Sequence, residues 1–280
     1  MICNLTFDID MTDYFSRAPI DEISNHLDQI LVLLDSFDIC ETTWFLRLDS
    51  DSASSYSSPT VFEQTMRHVI GKIRQNNHVV GWHHHPSVRA VDNEAVWLEE
   101  LKFFGGLAQR AQLEISRMGF AQMTPRSLRE IVSLGFTMDS SCISRPNYEW
   151  ETFRFRDWSG APNRPYKPCF NDPSTECHAT ESIWEVPITT VPMPFSSDTR
   201  PDVRRYLNLA YKPEIFKLGL DAWSNDTSNR GVLLTMTHPY ETGGLHRFPF
   251  GDGLADVSSN LELILRRNIE LVGMADLCVI

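Results

Sequence analysis

Apolar residues along this chain fall into short runs and helical stripes that alternate with little interruption. Residues 2–8 form a compact apolar run, read as a buried strand. Between 20 and 34 the apolar positions Ile20, Ile23, Leu27, Ile30, Leu31 and Leu34 recur at helical spacing and predict an amphipathic helix. A strand over 43–46 is followed by a polar, serine-rich loop over 49–59. A helix over 61–75 opens near Thr60, a suitable N-cap, and leads to a strand over 78–82. Residues 96–113 read as a helix whose continuity Gly105 and Gly106 weaken, and 115–118 as a short strand. Thr124-Pro125 supplies an N-cap and a proline in the first turn of a helix over 125–134, which Gly135 ends before a strand over 136–138. From 142 to 181 the periodicity dissolves into Pro, Asn, Asp, Trp and Tyr, the composition of a long ordered loop. Regularity returns with a strand over 183–189, a helix over 202–218, a very apolar strand over 231–237, a helix over 255–267 and a last strand over 270–274.

Strands and helices in this alternation predict a parallel sheet covered by helices, either closed into a barrel or open and doubly wound. No Gly-x-Gly-x-x-Gly follows the first strand, so a dinucleotide-binding open sheet loses its main support. The polar residues favour the barrel. Asp8, Asp10, His83 to His85, Arg117, Asp139 and His238 all fall at the C-terminal ends of predicted strands, which a barrel gathers on its active face.

Composition and charge narrow the function. With 280 residues, 42% hydrophobic and 22% charged, the chain is an ordinary globular one. Its net charge of -12 argues against nucleic acid or an anionic membrane surface as partner. No apolar run approaches the roughly 20 residues of a membrane span. The first residues lack a basic region and cleavage motif, so they read as a strand rather than a signal peptide. Cys3, Cys40, Cys142, Cys169, Cys177 and Cys278 follow no disulfide framework, and are expected to be reduced residues of a cytoplasmic protein.

Candidate chemistry centres on Gly81-Trp82-His83-His84-His85-Pro86. Alternate residues on a strand share a side, so His83 and His85 converge while His84 faces away. Imidazole is a common zinc ligand, and a catalytic site needs three protein ligands and an open position. The segment suited to complete the set is Thr6-Phe7-Asp8-Ile9-Asp10. Each residue also has a plainer reading. Adjacent histidines cap strands, Asp8 and Asp10 end one in solvent, and His238 before Pro239 is a turn residue. Arg117 pairs with Glu114 or Asp139, Glu185 stands on the barrel rim, and Trp82 divides between core and site. Tyr148, Trp150, Phe153, Phe155 and Trp158 either wall a sugar ring or pack their own loop. A serine hydrolase is set aside for want of a Gly-x-Ser-x-Gly elbow.

Taken in order, these segments resemble the polysaccharide deacetylases of carbohydrate esterase family four, the domain shared with nodulation chitooligosaccharide deacetylases. Thr6 to Asp10 resembles the first motif and Gly81 to Pro86 the second. Arg117-Met118-Gly119-Phe120, with Thr124-Pro125, Leu134-Gly135-Phe136 and Asp139-Ser140-Ser141, resembles the third. Trp184-Glu185-Val186-Pro187 and Met236-Thr237-His238-Pro239 resemble the fourth and fifth. The resemblance implies one catalytic domain over 1–280, a distorted (β/α) barrel of about seven strands with an irregular insertion at about 142–181. It implies one divalent ion, zinc first, with nickel, cobalt, iron or manganese as alternatives. The implied reaction removes an N-acyl group, acetyl foremost, from an amino sugar of a glycan or glycan precursor. Asp8 would be the general base, Asp10 and His83 metal ligands, Arg117 the residue orienting Asp8, and His238 the general acid. Trp82 and Trp184 would line the substrate.

Two departures stand out. The family's second motif spaces its histidines four apart, whereas Ser87 lies four beyond His83, so the second ligand is His85 or else belongs to an adjacent pair with His84. The proline usual two residues after the arginine is absent, and Gly119 stands there. A deformylase or other C–N amidohydrolase, with or without metal, is the alternative activity, and an inactive carbohydrate-binding barrel the alternative class.

Overall fold

Every residue of the segments Thr6–Ile9, Thr43–Arg47 and Ile115–Met118 is buried, the condition of parallel strands covered on both faces. The computed structural model describes residues 1–10, 20–144, 158, 160–177, 183–193, 204–244 and 249–279. Six parallel strands form its largest sheet, in the order Thr6–Ile9, Thr43–Arg47, Val79–His84, Ile115–Met118, Met138–Asp139 and Trp184–Glu185. A second parallel sheet places Ile2–Asn4 between Val232–Leu234 and Glu270–Leu271. The two sheets share the first strand region, and Phe7 bridges Thr237 in parallel register. Helices Ile20–Ser36, Pro59–Gln75, Glu94–Arg110, Pro125–Ser133, Pro213–Asn225 and Leu254–Arg266 link the strands.

Helix starts follow local chemistry. Ser58 caps Pro59–Gln75, Asn93 caps Glu94–Arg110, and Thr124 with Ser127 forms a capping box on Pro125–Ser133. Gly105 and Gly106 do not break Glu94–Arg110. A Cβ on Gly105 would lie 2.6 Å from Leu134 Cδ1 and 3.2 Å from the Trp82 ring, so glycine is there for close packing.

Three expectations are corrected. The helix expected over 202–218 starts at Pro213, and Arg204–Tyr206 instead pairs antiparallel with Thr190–Pro192. Apolar Tyr206, Leu207, Leu209 and Ala210 extend the helical stripe backwards in sequence, but Pro213 sets the first turn. The serine-rich loop holds a short helix, Ser50–Ser54, capped by Asp49. Lastly, Cys169 and Cys177 are not reduced. They form a disulfide at the hairpin of Pro168–Cys169 and Asp172–Glu176, which brings their Cα atoms to 5.0 Å. Cys3, Cys40, Cys142 and Cys278 stand outside any disulfide of the described residues.

Candidate functional site

Three side chains from two strands of the sheet, with Thr43–Arg47 between them, converge at the strand ends. Asp10 follows the strand Thr6–Ile9, while His83 and His85 come from the end of Val79–His84. His83 Nε2 and His85 Nε2 are 2.8 Å apart, and Asp10 Oδ1 lies 3.5 Å from the first and 3.7 Å from the second. Four ligands around zinc at ~2.0–2.1 Å stand about 3.3–3.4 Å from one another, so this triangle is near the size a cation requires. His83 Nδ1 is 2.8 Å from the Arg117 carbonyl oxygen. Facing a carbonyl, Nδ1 must carry the proton, which leaves the Nε2 lone pair free for a metal. Burial, with His83 beside it, pushes the His85 imidazole well below its usual value and keeps it neutral. Among the described residues Asp10 Oδ1 is buried without a hydrogen-bond partner, a demand that a cation would satisfy. Two imidazoles and a carboxylate are a donor set suited to zinc and similar ions, and Asp10, His83 and His85 fit one.

His84 faces the other way, as strand alternation requires. Its Nδ1 is 3.4 Å from the Leu48 carbonyl, its ring packs by Trp82 and Phe104, and burial lowers its pKa to about 4. The turn after Ile115–Met118 shapes the wall beside His85. A Cβ on Gly119 would overlap the His85 ring, so a glycine makes room for that imidazole. Phe120 and Ala121 then take left-handed backbone (φ 56° and 52°), uncommon for residues with side chains. This strained turn sets the Phe120 ring edge-on to His85 at 4.6 Å between centroids. Trp158 Nε1 donates to the Ala121 carbonyl from behind.

A carboxylate and an imidazole flank the triad. Asp8 is buried, and its Oδ1 accepts from Arg117 Nη1 at 2.5 Å. Arg117 also donates to Thr6 Oγ1, the Ser140 carbonyl and Ser140 Oγ, and lies over the Phe45 ring. Burial pulls the guanidinium below its usual range, and Asp8 acts to hold it up. His238 Nε2 lies 3.7 Å from Asp10 Oδ2. Its Nδ1 is 3.2 Å from Glu241 Oε2, a close charge contact rather than an aligned hydrogen bond. Glu241 also accepts from the His238 amide and from Asn208 Nδ2. Burial alone would lower the His238 pKa, but Glu241, Asp10 and Asp8 raise it to about 10.

No family model and no curated protein matches this sequence. The likeness is in three dimensions. A provisionally assigned polysaccharide deacetylase from Mycobacterium smegmatis superposes with a TM-score of 0.57 at 14% identity, over 99% of this chain and 88% of that one. A 4-alpha-glucanotransferase from Thermococcus litoralis gives 0.52 at 11% identity, over 99% of this chain and 40% of that one. Both likenesses concern the fold.

The structure thus brings together Asp8, Asp10, His83, His85, Arg117 and His238. Trp82 it assigns to the core. The indole is wholly buried, stacked on Phe136 and donating to the Leu48 carbonyl, with no surface for a substrate. Trp184 is half-buried with its ring under the Lys167 ammonium, and no contact joins it to the triad. Trp158 is a packing residue, while Tyr148, Trp150, Phe153 and Phe155 lie outside the described residues. Glu185 is buried rather than rim-exposed. Sequence reasoning named Gly119 and Phe120 without a role at the site and missed Glu241. The signal for Glu241 was present in His238-Pro239-Tyr240-Glu241, where a carboxylate three residues on can reach back to the first amide.

Proposed function

We propose that this protein is a metal-dependent hydrolase that removes an N-acyl group, acetyl foremost, from an amino sugar of a glycan or glycan precursor. The observation that carries this reading is the Asp10–His83–His85 triangle with a buried Asp8–Arg117 pair and a Glu241-backed His238 beside it. The likeness of fold to a provisionally assigned polysaccharide deacetylase supports it. We read the sheet as closed into a distorted barrel of about seven strands. Hydrogen bonds from Thr189 N to Leu234 O, Thr237 N to Thr6 O and Asp8 N to Thr237 O support closure.

Asp10, His83 and His85 would hold the ion, zinc being the best match to the donors. When bound, such an ion supplies Lewis acidity, polarising a carbonyl and lowering the pKa of a water from 15.7 towards ~7. The remaining chemistry belongs to the chain. Asp8 accepts the proton of the attacking water, and Arg117 holds that carboxylate in place through its hydrogen bond. His238 donates from Nε2 to the departing amine nitrogen, with Glu241 steadying the ring through its Nδ1 side. Amide hydrolysis needs these two proton transfers, because water is a weak nucleophile and an amine a poor leaving group.

Substitutions Asp8→Asn and His238→Ala should each lower acyl release from an N-acetyl amino-sugar panel by about 10²–10⁴-fold while far-UV circular dichroism stays native. Full activity in both variants would end this mechanism. Release of formate rather than acetate would favour the deformylase reading. The Cys169–Cys177 bridge bears on where the substrate is met, since disulfides persist in oxidising compartments. It favours a glycan encountered there over the cytoplasmic setting expected from the first residues.

A further inference from the structure

Arg117 is held from behind by a turn that two buried carboxyl groups organise. Asp139 and Glu185 are cross-strand partners, exposed by 0% and 1%. Asp139 Oδ2 accepts from the Ser141 amide, and its Oδ1 from Ser116 Oγ. Glu185 Oε1 accepts from the Cys142 amide. The turn so fixed grips the third strand motif at three points. Arg117 Nε donates to the Ser140 carbonyl, Arg117 Nη2 to Ser140 Oγ, and the Met118 amide to Ser141 Oγ. Ser140 Oγ donates onward to the Val186 carbonyl, next to Glu185.

Charge does not balance if both acids ionise. Arg117 is the cation here, and its closest carboxylate is Asp8. Two further negative charges side by side, shielded from bulk solvent, would repel each other. We propose that Glu185 is a neutral acid whose proton is shared with Asp139, and that this carboxyl–carboxylate clamp positions Arg117 by fixing the 140–142 turn. The groups facing Glu185 agree with this. Asp139 lies beside it and opposes a second charge, Arg117 pulls the other way as the weakest of the influences on it, and the buried Tyr166, bridged to Glu185 through the backbone, keeps its phenol protonated. Burial, and then the Asp139 charge, raise the Glu185 carboxyl well above its usual value.

Both Asp139 oxygens already accept, one from the Ser116 hydroxyl and one from the Ser141 amide. Glu185 has one amide donor, so its other oxygen is the one to carry the proton. Glutamine can replace such an acid, since its amide N–H donates to Asp139 in the same place. Alanine cannot.

The infrared spectrum of the whole protein at neutral pH tests the proton directly. Wild type should show the carbonyl band of a protonated carboxylic acid, and Glu185→Gln should lose it. Thermal unfolding gives the second reading. The unfolded chain ionises Glu185 near its ordinary value, whereas the folded chain retains the proton to higher pH, so rising pH favours unfolding of wild type. The melting temperature of Glu185→Gln relative to wild type should therefore climb as pH rises from about 5 to about 9. A relative melting temperature that falls with pH, or a spectrum in which the substitution removes no acid band, would overturn the proposal.

The positioning role rests on the function proposed above and is read separately. Glu185→Gln should keep kcat, whereas Glu185→Ala should lose about 10²-fold in kcat with KM little changed, as expected when a catalytic group is displaced. Equal loss in both would refute the clamp. Absence of acyl-sugar turnover in every variant would refute the function and leave the infrared result to decide the proton.

Discussion

At residue 119 the chain departs from the motif it resembles, and the departure has a steric reason. The second histidine sits two residues after the first, not four, and its ring occupies the space where a Cβ on residue 119 would project. The two-residue spacing of His83 and His85 and the glycine at 119 are therefore matched in space. Gly119→Ala should push the His85 ring out of the triangle and weaken zinc affinity by about 10–100-fold, the usual scale for residues that orient a ligand. Titration calorimetry on metal-stripped protein measures this, and unchanged affinity would mean the ring has room after all. Asp8, Asp10, His83 and His238 were legible because acidic and imidazole residues at strand ends are chemically conspicuous. Gly119 was not, since its role is an empty volume defined by a residue from another strand. Glu185 was hidden for a related reason. Its partner Asp139 comes beside it only when the two strands pair.

Among the elements, two glycines inside helices show how similar residues acquire opposite meanings. Gly71 in Pro59–Gln75 has no atom within 4 Å of a built Cβ, whereas Gly105 in Glu94–Arg110 faces Leu134 and the Trp82 ring. Gly71→Ala should raise stability by about 0.5–1 kcal/mol through backbone entropy. Gly105→Leu should lower it by about 1–3 kcal/mol through overpacking, more than helix propensity returns. Chemical denaturation of the two variants checks both signs, and a destabilised Gly71→Ala or an unchanged Gly105→Leu would contradict this packing. Periodicity located most helices because their starts carry cap chemistry at Ser58, Asn93 and Thr124. It failed at Arg204–Tyr206, where an apolar stripe ran through a strand towards a proline-started helix. Strand pairing with Thr190–Pro192 won there, a non-local contact that no local pattern encodes.

For the molecule as a whole, alternating strands and helices indicate a parallel sheet, and the described residues form one of six strands and a second of three. The disulfide was not legible, because its two cysteines meet through a hairpin inside a segment of irregular composition. The sheet does for the site what no local segment can. It carries Asp10 and the two histidines, 73 residues and more apart in sequence, to within 3.7 Å of one another. Everything proposed for catalysis depends on that meeting being a cation site. Calorimetric titration of zinc into metal-stripped wild type and His85→Ala is the most direct measurement. The account predicts one zinc per chain in wild type and loss of that binding in the variant. Identical binding in the two proteins, or none in wild type, would contradict it.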